Sequence, residues 1–227
     1  MKTIATICAR GGSVGLKNKN ILDFCGKPLI AHSILQAKAC SLIDEVYVST
    51  DSEKIAEVAK EYGAQVPFLR PKALATDTAG KIPVIMHCLN YLNKRGESLD
   101  LVIDLQPTSP IRSSTDIKNA IKEMSDDVDV VFSVSEAKHN PYFTLVEVNK
   151  NGIANLSKKP NELLARRQDA PKAFGINGSI YVWKPQSLIK GLWGGKAKVY
   201  IMPKYRSIDI DDDLDFEYAK LIYRGYK

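Results

Sequence analysis

The chain has 227 residues, enough for one sizeable α/β domain, and its 44% hydrophobic and 26% charged residues are the balance of an ordinary globular protein. No apolar run approaches the roughly 20 residues of a membrane span, and the N-terminal Met-Lys-Thr-Ile-Ala-Thr-Ile has too short an apolar core for a signal peptide, so a cytoplasmic protein is expected. A net charge of +6 without a basic stripe interleaved with aromatics argues against nucleic acid and fits a small anionic substrate, while four scattered cysteines without a Cys-x-x-Cys pair read as reduced thiols.

Strand and helix patterns alternate through the first two thirds of the chain. Thr3–Ala9 is an apolar strand, and Pro28–Cys40 reads as a helix with Leu29, Ile30, Ile34 and Leu35 on one face. Glu45–Ser49 is a second strand, whose Ser-Thr-Asp-Ser end supplies an N-cap cluster for a helix over Glu53–Tyr62. Thr78–Leu92 is helical in outline, with Pro83 placing its regular part further on. Leu101–Leu105 is a strand buried on both sides, Ser113–Met124 a helix and Val130–Val134 the next strand. This rhythm predicts a mostly parallel sheet covered on both faces, a three-layer α/β/α Rossmann-like fold with ligands outside the carboxyl ends of the strands.

After about residue 136 the pattern changes. Tyr142–Val148 reads as a strand and Asn149–Gly152 as the turn of a hairpin. Residues 156–172 are polar and basic and form an excursion from the sheet. Ser179–Trp183 and Lys198–Met202 return as strands, and Asp213–Tyr223 closes as a helix.

The loop after the first strand, Ala9-Arg10-Gly11-Gly12-Ser13-Val14-Gly15-Leu-Lys17-Asn-Lys19-Asn20, combines glycines with fixed positive charge. Glycines let backbone N–H groups approach a bulky anion, and Arg10, Lys17 and Lys19 stand beside those donors. Neither a P-loop nor a dinucleotide fingerprint is present. In an extended Ser207-Ile-Asp209-Ile-Asp211, side chains two apart point the same way, so Asp209 and Asp211 can converge on one cation such as magnesium, which takes oxygen ligands and keeps waters and phosphates. Asp212 and Asp213 also suit the start of the last helix. Asp51 reads equally as an N-cap or a site residue, and Arg112 as an anion ligand or half of a surface ion pair. The histidines lack a serine or cysteine partner at a recognisable spacing, which argues against a nucleophilic triad.

Taken together, these segments resemble the acylneuraminate cytidylyltransferase family, whose members make CMP-activated nine-carbon keto acids. The resemblance is carried in order by Ala9–Ser13 with Lys19-Asn20, Ser49-Thr50-Asp51, Arg70-Pro71, Leu74–Thr78, Gln106–Arg112, Arg167-Gln168, Asn177–Tyr181 and Ser207–Asp211. It implies a nucleotide-diphospho-sugar transferase fold in one domain over 1–227, and a homodimer in which an excursion over about 137–176 reaches the partner's site. It further implies transfer of CMP from CTP to the anomeric hydroxyl of a nonulosonic acid, with release of pyrophosphate. By the same resemblance Arg10, Lys19 and Asp211 are catalytic. Ala9, Arg10, Gly11, Gly12, Ser13, Lys19, Asn20, Arg70 and Thr78 bind nucleotide, Gln106, Arg167, Gln168, Asn177 and Tyr181 bind the sugar acid, and Asp209 and Asp211 hold Mg2+.

Two departures stand out. Val14 occupies the place of the family's usual lysine, and Lys17 is the nearest replacement cation. Asn140-Pro-Tyr-Phe143 and Arg166–Lys172 resemble the branch acting on bacterial diamino sugars such as legionaminic acid. A cytidylyltransferase for the eight-carbon keto acid of lipopolysaccharide, or a nucleotide-binding protein of low activity, stays open as an alternative.

Overall fold

The computed structural model describes residues 2–12, 15–160, 162 and 164–225. Ten strands are assigned: β1 (Thr3–Cys8), β2 (Asp23–Phe24), β3 (Lys27–Pro28), β4 (Glu45–Ser49), β5 (Leu101–Leu105), β6 (Val130–Glu136), β7 (Val146–Val148), β8 (Ala154–Leu156), β9 (Phe174–Trp183) and β10 (Ala197–Ile201). The α-helices are α1 (Leu29–Lys38), α2 (Glu53–Glu61), α3 (Lys81–Lys94), α4 (Ser114–Lys122) and α5 (Asp213–Gly225). Among the described residues no helix is long and apolar enough to cross a membrane.

Six strands form the central sheet in the order β10-β6-β9-β5-β1-β4. Pairing is parallel for β1 with β4, β1 with β5 and β10 with β6, whereas β9 runs antiparallel between β5 and β6. Alternation along each strand sends successive side chains to opposite faces. Ala5, Ile7, Ile103, Val131 and Val182 meet α1, α2 and α4 on one face. Ile4, Val102, Phe132 and Trp183 meet α3 on the other. The expected three layers follow directly from this division. Ile85, Leu89 and Leu92 of α3 are nearly fully buried, each stabilising the fold by about 1.5–3 kcal/mol relative to exposure.

Local chemistry fixes the helix starts. Ser52 Oγ caps α2 by accepting from Ile55 N at 3.4 Å, and Ser113 with Asp116 forms a reciprocal capping box on α4. On α1, Leu29, Ile30 and Ile34 are buried as expected while Leu35 is exposed. The regular part of α3 begins at Lys81, so Pro83 falls in its first turn, where no intrahelical N–H is needed.

Strand β9 departs most from expectation. It begins at Phe174, five residues before the expected Ser179, because Phe-Gly-Ile-Asn-Gly lacks an apolar alternation yet pairs with the end of β6. The register against β6 shifts between Phe132 and Val134, a bulge filled by Ser133 Oγ, which donates to Asn177 Oδ1 at 2.6 Å and accepts from Ile180 N at 2.9 Å. Residues 174–176, inside the range assigned to the excursion, are therefore paired into the central sheet. Of the strand expected over Tyr142–Val148 only β7 forms, closing with β8 the hairpin that the Asn149–Gly152 turn predicts. The excursion leaves Leu145, Val146, Val148 and Ile153 exposed.

The strand order places a switch point between β1 and β5. Chain leaves β1 toward β4 through α1, then returns across to β5 through α3, so a crevice opens at the carboxyl ends of β1 and β5.

Candidate nucleotide-transfer site

A cavity of about 600 Å³ fills that crevice, walled by the loop after β1, the loop after β5 and the start of α3. Arg10, Lys19, Asn20, Arg70, Gln106 and Asp211 line it, so segments up to 201 residues apart (10 to 211) converge as the sequence reading expects. A second cavity of about 490 Å³ shares Gln106 as a wall and adds Asn177, Tyr181 and Asp209. Four of the nine expected nucleotide residues (Arg10, Lys19, Asn20 and Arg70) thus line one space, and three of the five expected sugar residues (Gln106, Asn177 and Tyr181) line the next.

The glycine loop is held from outside. Asn20 Nδ2 donates to Arg10 O at 3.1 Å, Ala9 N donates to Ser49 O at 3.0 Å, and Asp51 Oδ1 accepts from Gly11 N at 2.9 Å. Asp51 is therefore a loop anchor, and Ser52 is the N-cap of α2. Arg10 is ion-paired with Asp77. Arg70 is buried with no carboxylate partner among the described residues: its Nε donates to Ser49 Oγ at 3.1 Å and its Nη2 to Ser49 O. Burial lowers its pKa, so an anion brought to the cavity would stabilise its charge.

Ala9, Gly11 and Gly12 belong to the loop but not to the cavity wall, and Thr78 is exposed beside Thr76, outside both cavities. Lys17 is exposed and absent from the wall. Ser13 and Val14 lie outside the described residues. Arg167 and Gln168 are exposed in the excursion, where Arg167 Nη2 donates to Lys138 O, and neither lines either of these two cavities.

The aspartate segment is pinned on three sides. Ile210 N donates to Thr108 O at 2.9 Å, Lys19 Nζ donates to Ile210 O at 2.6 Å, and Lys19 Nζ also lies 3.6 Å from Asp211 Oδ1. Ile210 itself packs with Phe24 and Phe216, joining the β2–β3 hairpin to α5. Asp213 is the first residue of α5, while the reciprocal capping bonds run between Asp212 and Asp215. Asp209 Oδ2 lies 3.4 Å from Gln106 Nε2, and among the described residues its buried Oδ1 accepts no hydrogen bond of ordinary geometry. Burial raises the Asp209 pKa against the opposing pull of the nearby Thr108 hydroxyl, and the charge of Asp211 reinforces the rise. A buried, unpartnered carboxylate oxygen beside a second carboxylate makes an all-oxygen donor set that suits a hard divalent cation. Among the described residues no group of three or more His, Cys, Asp or Glu converges to hold a metal without a ligand's help.

Three residues at or behind the site have roles that the sequence reading did not give them: Arg112 was read differently, and Asp104 and Lys81 were not named. Arg112 is 2% exposed, and its guanidinium donates to Ser179 O at 2.8 Å and to Ser33 Oγ, so it is an internal brace and neither an anion ligand nor a surface ion pair. Asp104, 0% exposed near the end of β5, pairs with Lys81 Nζ at 2.6 Å. Asp104 was visible as a lone charge in the apolar strand Leu-Val-Ile-Asp-Leu, but nothing in the sequence named Lys81 as its partner.

A protein-family profile described as Cytidylyltransferase matches residues 4–223. The chain is 38% identical over 225 residues to the post-translational flagellin modification protein B of Campylobacter coli, covering 97% of this chain and 94% of that protein. It is also 38% identical over 223 residues to the CMP-N,N'-diacetyllegionaminic acid synthase of Campylobacter jejuni, covering 96% and 94%. A solved structure of CMP:2-keto-3-deoxy-manno-octonic acid synthetase complexed with CTP superposes with a TM-score of 0.73 at 20% identity, over 100% of both chains, which supports the fold. A nucleotide-sized crevice at the switch point of a mostly parallel sheet, matched nearly end to end by that profile, identifies the chain as a member of the cytidylyltransferase family.

Proposed function

We propose that this protein transfers CMP from CTP to the anomeric hydroxyl of a nonulosonic acid, with a diamino acid of the legionaminic type as the favoured acceptor. The observation that carries the reading is the shared wall at Gln106, which joins a cationic cavity at the glycine loop to a second cavity lined by Asn177, Tyr181 and Asp209. A triphosphate in the first cavity meets Arg10, Arg70 and Lys19, and a sugar acid in the second reaches the α-phosphorus across Gln106. In the transfer the bond from anomeric oxygen to α-phosphorus forms and the bond to the bridging oxygen breaks. Its electron pair leaves with pyrophosphate, and the hydroxyl proton passes to water. The chain's part is positioning and electrostatic stabilisation in a preformed site.

Asp209 and Asp211 would hold Mg2+, which when bound supplies positive charge to the phosphates. The unpartnered Asp209 Oδ1 supports this assignment. Arg167 and Gln168 would serve the sugar site of a second copy, a reading supported by their position outside the two cavities described and by the exposed apolar residues of the excursion. Such a homodimer would work in the cytoplasm, where CTP is available.

Pyrophosphate release tests the reading. CTP, GTP, ATP and UTP are each paired with legionaminic, sialic and eight-carbon keto acids in the presence of Mg2+. Turnover with CTP and a nine-carbon acid is expected, and Asp211→Ala should abolish it without loss of fold. Turnover with the eight-carbon acid alone would move the assignment to that substrate, and nucleotide binding without turnover on any pair would overturn it.

A further inference from the structure

The start of α3 carries a charge in an unfavourable place. Lys81 is the first residue of the helix, no acidic residue occupies that turn, and a cation there faces the positive end of the helix dipole. Its ammonium is nevertheless drawn inward. Lys81 Nζ lies 2.6 Å from Asp104 Oδ2, donates to Gln106 Oε1 at 2.9 Å, and sits 5.1 Å from the centroid of the Tyr181 ring. Burial works against the charge, but Asp104 outweighs it and the Lys81 pKa is raised, so the group stays cationic. The side chain remains 35% exposed, and Lys81 lines the first cavity while both Gln106 and Tyr181 line the second. Asp104 Oδ1 meanwhile is buried with no hydrogen-bond partner among the described residues.

Stability alone does not account for this pair. A buried carboxylate and a lysine at a helix N-terminus together lose desolvation and dipole energy that an apolar pair of similar volume would avoid. The arrangement does fix one cation at the boundary of the two cavities, donating to two acceptors, Asp104 Oδ2 and Gln106 Oε1. An anion whose negative charge grows at that boundary during reaction would meet it without reorganisation of the site.

We propose that Lys81 is a catalytic residue of the transfer, contacting a non-bridging oxygen of the phosphoryl group that passes between the cavities, with Asp104 and Gln106 as the positioning residues that aim it. The inference rests on the transfer proposed above. It assigns Asp104 no proton transfer: its carboxylate holds the ammonium, and no bond to either residue is made or broken.

The test separates chemistry from packing. Lys81→Met removes the cation but strands Asp104, which by itself can unfold the protein, so the decisive variant is Lys81→Met combined with Asp104→Asn, which removes both charges together. Steady-state pyrophosphate release is measured for wild type, both variants and Lys81→Arg, with far-UV circular dichroism and thermal unfolding as fold controls. The double variant is expected to fold and to lose about 100-fold in kcat, with the KM for CTP changed by no more than about threefold, as for the loss of one preorganised donor. Lys81→Arg should recover part of the loss. A folded double variant within threefold of wild-type kcat would reduce the pair to a structural one and overturn the proposal while leaving the proposed function intact. A change confined to the KM of the sugar acid would overturn it equally, by moving Lys81 to substrate binding. Absence of turnover by the wild type across the whole nucleotide and acid panel would overturn both readings together.

Discussion

Asp51 Oδ1 accepts the backbone N–H of Gly11 at 2.9 Å, so the loop that follows β4 holds the loop that follows β1. The approach is close enough that a Cβ on Gly11 would stand 3.0 Å from Ser52 Cβ. Two adjacent parallel strands thus end in loops that brace one another at Gly11, next to Arg10.

Asp51→Ala should therefore act on nucleotide affinity more than on the fold. Losing a hydrogen bond to a charged acceptor at a partly exposed site costs about 1–2 kcal/mol, which corresponds to a rise of about 5- to 30-fold in the Kd for CTP if the strain falls on the loop. Isothermal titration with CTP, beside a thermal melt, reads the two effects separately. An unchanged Kd with a lowered Tm would assign Asp51 to the scaffold alone.

Gly15 predicts a sharper effect. A Cβ built there would lie 2.4 Å from the backbone oxygen of Asp211, where ordinary contact begins near 3.4 Å. Gly15→Ala must separate the glycine loop from the aspartate segment by about 1 Å, a displacement that typically costs about 100-fold in rate when it falls on reacting groups. The expected result is a kcat lowered by about that factor with circular dichroism unchanged, and wild-type kcat would show that loop and aspartates move independently.

Much of this geometry was legible before the structure. The alternation of strand and helix marked β1, β4, β5 and β6, whose residues are mostly buried, whereas the edge strand β10 is largely exposed and was read from its apolar residues after that alternation had ended. The glycine loop and the aspartate pair were legible because each departs from what packing alone would select. Antiparallel β9 was half hidden, since its first five residues are held by the Ser133–Asn177 bulge rather than by apolar alternation. Arg112 and Lys81 were misread or missed for one reason: their partners, Ser33, Ser179 and Asp104, are at least 23 residues away in sequence (81 to 104), and only the folded sheet brings them together. In the proposed homodimer the place of Arg167 and Gln168 would depend on a second copy, and within one chain they are exposed residues of the excursion.

Acid stability should report the brace behind the aspartate segment. Asp116 is 0% exposed and accepts from Arg206 Nη2 at 2.9 Å, from Tyr200 Oη at 2.9 Å and from Ser113 N at 2.8 Å. Burial raises its pKa, but these bonds outweigh it, and the value falls below the ordinary 3.8. A depressed carboxyl contributes stability that is fully present above the unfolded-state pKa and is lost as pH falls through the folded one. Asp116→Asn should lower stability by about 2 kcal/mol at pH 7, or about 4–8 °C in Tm, and the gap to wild type should narrow below about pH 3.8. Urea denaturation at pH 7 and pH 3 measures both, and an equal gap at the two pH values would assign the loss to packing.

Arg112 offers the cleanest contrast between charge and hydrogen bonding. No described carboxylate lies within ion-pairing distance of it, and burial pulls its pKa down to about 9 although Asp104, Asp116 and Asp209 favour its charge. Its two arms join α1 at Ser33 to β9 at Ser179, and its Nε has no partner. Arg112→Lys keeps the buried charge on a group that cannot serve both arms, and should destabilise by about 3–5 kcal/mol. Arg112→Met removes the charge and strands only neutral acceptors and hydroxyls, which should cost about 1–3 kcal/mol. Urea denaturation of the two variants orders them. Should the Met variant prove the less stable, the charge of Arg112 would itself be a stabilising element, acting at a distance on the carboxylates of Asp104 and Asp209.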